Sequence, residues 1–417
     1  MLRPFVKVPA EEGAKAAEDA AAIECMKKVL VFFLFSFSLA RAQDTTFVKR
    51  NIRSAQFDLL FSYYQQDGDH SAVTGGQGTE KLDVFINKLG VNFTLDSTNT
   101  LLLEGGIDVI SSASTDRIDM NLSSASAVDN RLWVSAGYEY TSGNRRNKIG
   151  GMPSFSIESD YLSRGLLAWW TSESADKNWR YSVSGQLYAD DLRWGRLNID
   201  YGYPVTLVYP KELRDSAWFD IYKRFSYNLT FDIQHDINKR MSIGFFPGFT
   251  LQTGLLSTPF HRFYFEGEDK AVVENLPTQR VKIPIGVQLN SFVGARTIVQ
   301  LYYRYYWDNF GINAHTFSIE TPVKIVPQLV VTPFVRFYTQ GKADYFYPYQ
   351  TAPNTVPFFT SDYDLSDFSS FKYGAGLKFI GIKGGSLKQF GLRYAHYSRS
   401  DGLYFNQLTS YLSVPTK

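Results

Sequence analysis

Three closely spaced glycines, Gly75, Gly76 and Gly78, are the first residues whose type and spacing could support ligand chemistry. They resemble part of a dinucleotide-binding fingerprint, in which glycines let the backbone approach a phosphate. Lys81 stands where the third glycine of that fingerprint would be, and no helical pattern follows. The spacing therefore predicts a flexible loop whose glycines adopt positive φ angles, and not a nucleotide site.

The acidic and histidine residues lack the spacing of known metal-binding or catalytic motifs. Asp362, Asp364 and Asp367 resemble a calcium loop, but its glycine and its closing glutamate are absent, so a solvated acidic loop is predicted. The five histidines are scattered, and no H-E-x-x-H, G-x-S-x-G or Walker pattern occurs. We therefore predict no catalytic residue, no metal site and no cofactor.

Charged residues elsewhere alternate with apolar ones, which fixes the type of element that carries them. Between 225 and 234 the odd positions are apolar or aromatic and the even positions are polar. The same alternation recurs near 179–187, 281–290 and 372–379. A period of two predicts strands with one apolar face, and helical spacing is nowhere sustained.

The polar face of these strands carries more basic than acidic residues. If the apolar face contacts lipid, the polar face lines a wet lumen, because Lys or Arg at mid-bilayer on the lipid face costs about 2 to 4 kcal/mol. The predicted lumen-lining residues are Arg180, Lys282, Arg304, Lys324, Arg336, Lys372, Lys378, Arg393, Glu139, Asp232, Asp308 and Glu320. This excess predicts an anion-preferring path, and salt bridges that brace or plug the lumen are the alternative.

The pattern predicts about sixteen strands, with fourteen to eighteen as the range. They are expected near 53–64, 82–95, 100–110, 131–142, 147–158, 161–172, 178–189, 224–235, 241–252, 280–291, 297–308, 314–324, 328–339, 371–380, 389–399 and 402–412. Tight polar turns alternate with long loops near 65–81, 111–130, 190–223, 253–279 and 340–370. Together these features predict an all-β fold, a closed antiparallel transmembrane barrel with both termini on the short-turn side. Pro247 and Pro333 fall inside predicted strands and fit this interpretation poorly.

Aromatic residues make up 16% of the chain and concentrate near the predicted strand ends. A membrane barrel places such residues in girdles at the two interfaces. The predicted girdle residues are Trp133, Trp169, Trp170, Trp179, Tyr305 and Trp307. A soluble sandwich or propeller, with the same aromatics in its core, is the alternative, and strands longer than the usual 5 to 6 or so residues count against it.

The N-terminal region predicts export. Residues 26–42 combine two lysines, an apolar core and the small residues of Ala40-Arg41-Ala42, which together predict a signal peptide cut between Ala42 and Gln43. Residues 1–25 are either a mis-assigned start or a true leader of unknown purpose, and they contain the single cysteine. The mature chain, 43–417, is then one barrel domain without disulfides.

Three segments carry a resemblance to a known family. They are AVTGGQGTEKLDV at 72–84, ESDYLSRG at 158–165 and SDGLYFNQ at 400–407. The sequence resembles the bacterial family called domain of unknown function 3570, which is common in Bacteroidetes and other Gram-negative bacteria. The resemblance spans most of 43–412 and implies an outer-membrane barrel of unestablished function. It also implies a genomic context of flavin-transferring and thioredoxin-like periplasmic proteins, and the family has no catalytic residues to carry over.

These observations predict a porin-like outer-membrane channel that is not an enzyme. The alternative is a non-conducting scaffold or receptor barrel that binds a periplasmic or surface partner, with a redox-related protein as one candidate. The expected partners are outer-membrane lipid, the barrel-assembly machinery and a small solute or ion. A net charge of +2 without a dense basic run makes nucleic acid an unsuitable partner. The acidic loops 253–279 and 340–370 are expected either to bind cations or to repel neighbours.

Overall fold

The computed structural model describes residues 53–112, 128–158, 162–192, 223–258, 261–381 and 387–416. Within these ranges the chain is almost entirely β-structure, and two short 3₁₀ helices, Ala72–Thr74 and Tyr363–Leu365, lie in loops. The strands are β1 (Ser54–Asp67), β2 (Leu82–Thr94), β3 (Asn99–Ser112), β4 (Val128–Thr141), β5 (Asn147–Ile157), β6 (Leu162–Glu173), β7 (Trp179–Asp191), β8 (Lys223–Asn238), β9 (Met241–Gly254), β10 (Arg262–Phe263), β11 (Val272–Val273), β12 (Gln279–Val293), β13 (Thr297–Asp308), β14 (Asn313–Glu320), β15 (Val323–Val326), β16 (Leu329–Gln340), β17 (Phe368–Ile380), β18 (Gln389–Arg399) and β19 (Tyr404–Thr416).

All strands except the small β10–β11 hairpin form one antiparallel sheet that closes on itself. β1 pairs with β2 on one side and with β19 on the other, with Ala55 opposite Thr416. β14 and β15 share one place in the barrel, because β13 and β16 each pair with both of them. The predicted closed barrel of sixteen strands is therefore confirmed, and the described chain begins and ends beside the short turns.

Pro247 and Pro333, the two prolines inside predicted strands, lie where the ladders of hydrogen bonds between strands are interrupted. At Pro247 the β8–β9 ladder is interrupted between the Thr230–Gly248 pair and the Ile233–Phe245 pair, and the register is unchanged across the gap. Pro333 lies beside the break between β14 and β15, where its carbonyl accepts a hydrogen bond from the Thr321 N–H at 3.0 Å. Since proline has no N–H to donate, these breaks are the positions in a barrel that tolerate it.

One face of the sheet is apolar around the whole barrel. Directly paired residues share a face, and the register carries this face from strand to strand without a change of side, as in the pairs Phe245–Val287 and Val287–Tyr303. Many large apolar side chains on this face are more than a third exposed, among them Phe61, Leu103, Leu132, Ile149, Leu166, Phe245, Phe317, Phe337, Leu377 and Leu408. The alternation of apolar and polar residues along each strand therefore gives the closed sheet one continuous apolar face.

Most of the buried apolar residues lie in the loops and not in the barrel wall. Leu276, Phe310, Ile312, Ala343 and Phe346 pack into one cluster, and tyrosines of β13 and β16 pack against it. A second cluster contains Phe263, Phe265 and Ala352. We call the assembly of the described residues of 68–81, 255–278, 309–312 and 341–367 the loop cap. It gives the barrel a cap end, opposite the turn end.

Several predictions from the N-terminal region concern residues outside the described ranges. These are the extension 1–25, the signal peptide 26–42 and the cut between Ala42 and Gln43, as well as most of the loops 111–130 and 190–223. No helix among the described residues is both long enough and apolar enough to cross a bilayer.

Candidate functional site

The charged face of the sheet is the concave, inner face of the barrel. Arg393 on β18 forms a two-pronged ion pair with Glu320 on β14, with a shortest N–O distance of 2.9 Å, although β16 and β17 lie between these strands. Neighbouring strands are about 4.8 Å apart, so a contact across two intervening strands requires a surface that curves toward the contact. The Arg393 guanidinium also lies 3.8 Å from the ring centre of Phe334 on β16.

All twelve residues predicted to line a lumen lie on this inner face, as their registers require. The four acidic residues are partnered there. Glu139 accepts from Lys148 at 2.8 Å and from the Trp169 indole at 3.0 Å, and Asp232 accepts from Gln234 at 3.2 Å. Asp308 is fully buried against Arg280 and Tyr306, and Glu320 binds Arg393 as above. Three of the four carboxylates therefore have a cationic partner, and Asp232 has only an amide partner.

The eight basic residues fall into two groups. Arg180 and Arg393 are ion-paired, with Asp236 and Glu320 respectively. The other six have no carboxylate within ion-pair distance in the part of the chain that the structure describes, and they are Lys282, Arg304, Lys324, Arg336, Lys372 and Lys378. All six lie between β12 and β17, so one side of the inner face is positively charged.

The opposite side of the inner face carries local ion pairs, and among its described residues the carboxylates of Asp58 and Asp232 bind neutral side chains. Lys88 bonds Glu104 at 2.8 Å, and Arg224 bonds Asp190 at 2.9 Å. Arg131 lies 3.5 Å from Glu158. Inner charges braced by salt bridges and inner charges without a partner, the two alternatives predicted from the sequence, both occur, on different sides of the barrel.

The unpartnered cations form a series along the barrel axis. Lys282, Arg304, Arg336 and Lys372 lie in the cap half of their strands, whereas Lys324 and Lys378 lie close to the turn end. Along β17, Lys372 and Lys378 are separated by about 20 Å, at about 3.3 Å per residue. Arg393 lies between these levels, because it pairs in register with Gly376.

The girdle prediction needs a correction for two of its six residues. Trp133 and Trp169 lie on the inner face, where Trp133 is 5.5 Å from the Lys88 amine and Trp169 donates to Glu139. Trp169 and Trp170 are adjacent in one strand, so their side chains must point to opposite faces. The apolar face near the strand ends carries the other four, which are Trp170, Trp179, Tyr305 and Trp307.

The loop cap is fastened to inner-face residues at the cap end of the barrel. Arg399 at the end of β18 has only 4% of its side chain exposed, and it binds Asp401, Asp364 and the carbonyl oxygen of Tyr363. Gln340 at the end of β16 donates to the carbonyl oxygens of Asp364 and Ser366. The segment 341–367 therefore lies over the mouth of the barrel on the β12–β18 side.

A histidine–carboxylate cluster joins two segments of the loop cap. His261 Nδ1 lies 3.2 Å from Glu274 and 3.9 Å from Asp362, and Thr360 donates to Glu274 at 2.6 Å. Burial disfavours the charged imidazole, but the carboxylates outweigh it and raise the pKa of His261 to about 9. Burial raises the pKa of Asp362 to about 6, against the opposing effect of His261. Asp364 and Asp367 are exposed, as predicted for a solvated acidic loop, whereas Asp362 is only 28% exposed. Glu274, in the other acidic loop, is 4% exposed.

Other loop predictions are confirmed or refined. Gly75, Gly76 and Gly78 have φ angles of +80°, +83° and +84°, as predicted for a loop. A Cβ at Gly76 would lie 3.0 Å from the Tyr363 ring and 3.2 Å from the Ser361 carbonyl oxygen, so the glycines allow segment 68–81 to pack closely on segment 341–367. His70 stacks on Tyr363 across the same contact, with ring centres 3.9 Å apart. Among the described residues no group of three or more His, Cys, Asp or Glu could hold a metal ion.

Sequence reasoning missed three residues of this site, and the alternation could have revealed two of them. Arg280 has the same parity as Lys282 on β12, and Arg399 has the same parity as Arg393 on β18. His261 gave no such signal, because it lies in a loop and its partners are distant in sequence.

A closed antiparallel barrel with an apolar exterior and a charged interior defines a porin-like β-barrel. A family model described as "Protein of unknown function (DUF3570)" matches residues 29–410, and the chain belongs to this family, as its motifs predicted. No curated protein matches the chain.

Three solved structures are similar to the chain at low identity. OccK1 (OpdK) of Pseudomonas aeruginosa has a TM-score of 0.39 and 11% identity, covering 87% of this chain and 98% of that chain. A BenF-like porin from Pseudomonas fluorescens Pf-5 has a TM-score of 0.40 and 10% identity, covering 87% and 98%. A bacterial polysaccharide outer membrane secretin has a TM-score of 0.45 and 10% identity, covering 89% and 100%.

Proposed function

We propose that the chain is an outer-membrane channel through which small anions pass by diffusion. The observation that carries this proposal is the one-sided charge of the inner face, where six basic residues between β12 and β17 lack carboxylate partners in the described part of the chain. Unpaired cations in a confined space raise the local concentration of anions and lower that of cations. A barrel of about sixteen strands is also wide enough to leave an aqueous path.

The apolar exterior supports the location. Exposed Leu, Ile, Val and Phe side chains continue around the barrel on the outer face, and only lipid gives such a surface a suitable environment. A closed barrel also leaves no strand edge unpaired in hydrocarbon. The turn end, which holds the described termini, then faces the periplasm, and the loop cap faces the cell exterior.

Single-channel recording tests the proposed function. The full chain, purified from outer membranes as the cell processes it, is placed in planar bilayers under a salt gradient. We expect steady openings with an anion-selective reversal potential, because cations are repelled by the inner face. Neutralising Arg304 and Arg336 together, as R304Q and R336Q, should shift the reversal potential toward zero. Lys239→Gln, in an exposed turn, is the matched control and should leave the reversal potential unchanged.

One observation favours a second function, that of a non-conducting scaffold or receptor. The segment 341–367 covers part of the mouth and is held by the nearly buried Arg399. A folded, heat-modifiable barrel without conductance would reject the channel and favour this scaffold. Cross-linking in cells would then be expected to recover a stoichiometric partner at the turn end or the loop cap, and a protein with neither conductance nor partner would contradict both functions.

A further inference from the structure

Arg336 and Lys372 occupy directly opposed positions on neighbouring strands. The β16–β17 register pairs them, and both lie on the inner face. Directly opposed side chains in an antiparallel pair have Cβ atoms about 5 Å apart, and like charges there destabilise the sheet. Neither has a carboxylate partner among the described residues. Their repulsion is therefore uncompensated by the protein itself.

The two cations line one cavity together with the Arg393–Glu320 pair. This cavity has a volume of about 110 Å³ and is also lined by Gln407 and Thr409. A water molecule in the liquid occupies about 30 Å³, so the space accommodates a small ion. The Lys372 amine lies 5.1 Å from the ring centre of Phe405, which closes one side.

The charge of the cavity defines the ligand that would neutralise it. Arg336, Lys372 and Arg393 carry three positive charges, and Glu320 carries one negative charge. Two positive charges remain. A guanidinium offers paired N–H donors and an ammonium offers a point charge, which is a combination that binds oxyanions. The hydroxyl of Thr409 and the amide of Gln407 can donate further hydrogen bonds.

We propose that this cavity is a binding site for a small, doubly charged oxyanion of the sulfate or phosphate type, with Arg336 and Lys372 as its principal ligands. Glu320 is a positioning residue that holds Arg393 through both of its terminal nitrogens. This binding site is inferred on the basis of the proposed function, because the cavity lies on the same inner face and a permeating anion would pause there.

Equilibrium dialysis with radiolabelled sulfate tests the site in the full chain, purified in detergent at a fixed chloride concentration. Wild-type protein should bind one sulfate per chain with saturation, in competition with inorganic phosphate. Arg336→Gln and Lys372→Gln should each weaken binding by about tenfold or more, because each removes a charge-assisted hydrogen bond. Lys378→Gln is the matched control on the same strand and face. It lies about 20 Å from Lys372 along the strand and does not line the cavity, so binding should weaken far less than in K372Q.

A variant that gains affinity separates the site from a folding defect. Glu320→Gln keeps an acceptor for Arg393 but removes the negative charge of the cavity, so sulfate should bind more tightly. Succinate serves as the longer dianion and should compete less well than phosphate.

Three results would overturn the site: no saturable binding by wild-type protein, equal losses in K372Q and K378Q, or weaker binding by E320Q. Dialysis requires no ion flow, so saturable binding by a silent barrel would retain the site while rejecting the channel.

Discussion

At His261, burial and charge act in opposite directions, and charge prevails. The folded pKa of about 9 lies above the ordinary value of 6.5, because two carboxylates face the imidazole. A group whose pKa is raised by folding contributes stability that is complete below its unfolded pKa and is lost as the pH rises through its folded pKa. The pKa of Asp362, raised from 3.8 to about 6, adds a second loss at lower pH, because folding favours its protonated form.

These shifts predict that the loop cap loosens as the pH rises from 6.5 to above 9. The protonation-dependent stability of His261 is about 3 kcal/mol, at 1.36 kcal/mol per pKa unit. Hydrogen exchange of peptides from 262–276, corrected for intrinsic rates, should become faster over this range. His261→Gln should abolish that change. Asp362→Asn should remove the separate loss between pH 4 and 6 and should also reduce the loss at higher pH, because Asp362 is one of the carboxylates that raise the pKa of His261. A pH response that persists in H261Q would show that another group controls the cap.

At the scale of elements, close approach between strands decides which positions need glycine. A Cβ at Gly374 on β17 would overlap the carbonyl oxygen of Tyr394 on β18, and backbone cannot move aside as a side chain can. Gly185 on β7 has no atom within 4 Å of the corresponding position. A side chain is therefore expected to be tolerated at Gly185 and to clash with the neighbouring strand at Gly374.

Gly374→Ala is expected to destabilise the β17–β18 pair by about 1 to 3 kcal/mol, the usual cost of overpacking. The measurement is the fraction of protein that migrates as a folded barrel on unheated detergent gels, followed as the temperature of pretreatment rises. Gly185→Ala, as the matched control, should unfold at the wild-type temperature. Equal behaviour of the two variants would mean that the strands can separate at Gly374 without loss of pairing.

At the scale of the whole molecule, the apolar packing of the described chain is concentrated above the barrel. The clusters around Phe310 and Phe263 lie in the loop cap, and the barrel wall faces a charged interior. The loop cap is therefore a small folded unit, fastened to the rim by Arg399 and Gln340. Tyr306 and Tyr338 of the barrel also pack against it, but it contains no strand of the closed sheet, so it can be altered without dismantling the sheet.

Replacing 345–361 by a short Gly-Ser linker should raise single-channel conductance, because it removes the part of the loop cap that lies over the mouth. Arg399→Gln should have a milder effect, seen as more frequent transitions between conductance levels. The same linker inserted after Gly143, in an open turn at the other end, is the control. An unchanged conductance in the truncated protein would mean that ions pass beside the loop cap, on the side of the barrel opposite the six unpartnered cations.

The sequence by itself determined the strands, their approximate limits and the identity of their two faces. A period of two determines which face each side chain occupies, because a slip of one residue would turn every apolar side chain inward. For that reason the alternation alone predicts that the twelve charged residues share one face, whatever their strand neighbours are. The same rule excludes Trp169 from the outer girdle once Trp170 is placed there.

Only the tertiary structure decided which charges are paired and where the loops lie. The Arg393–Glu320 pair joins strands that are not neighbours, and the His261 cluster joins loops far apart in sequence. Alternation specifies a face but not a neighbour, because neighbours depend on register, closure and curvature of the whole sheet. The positive side of the interior, and the cavity at Arg336 and Lys372, follow from those three properties together.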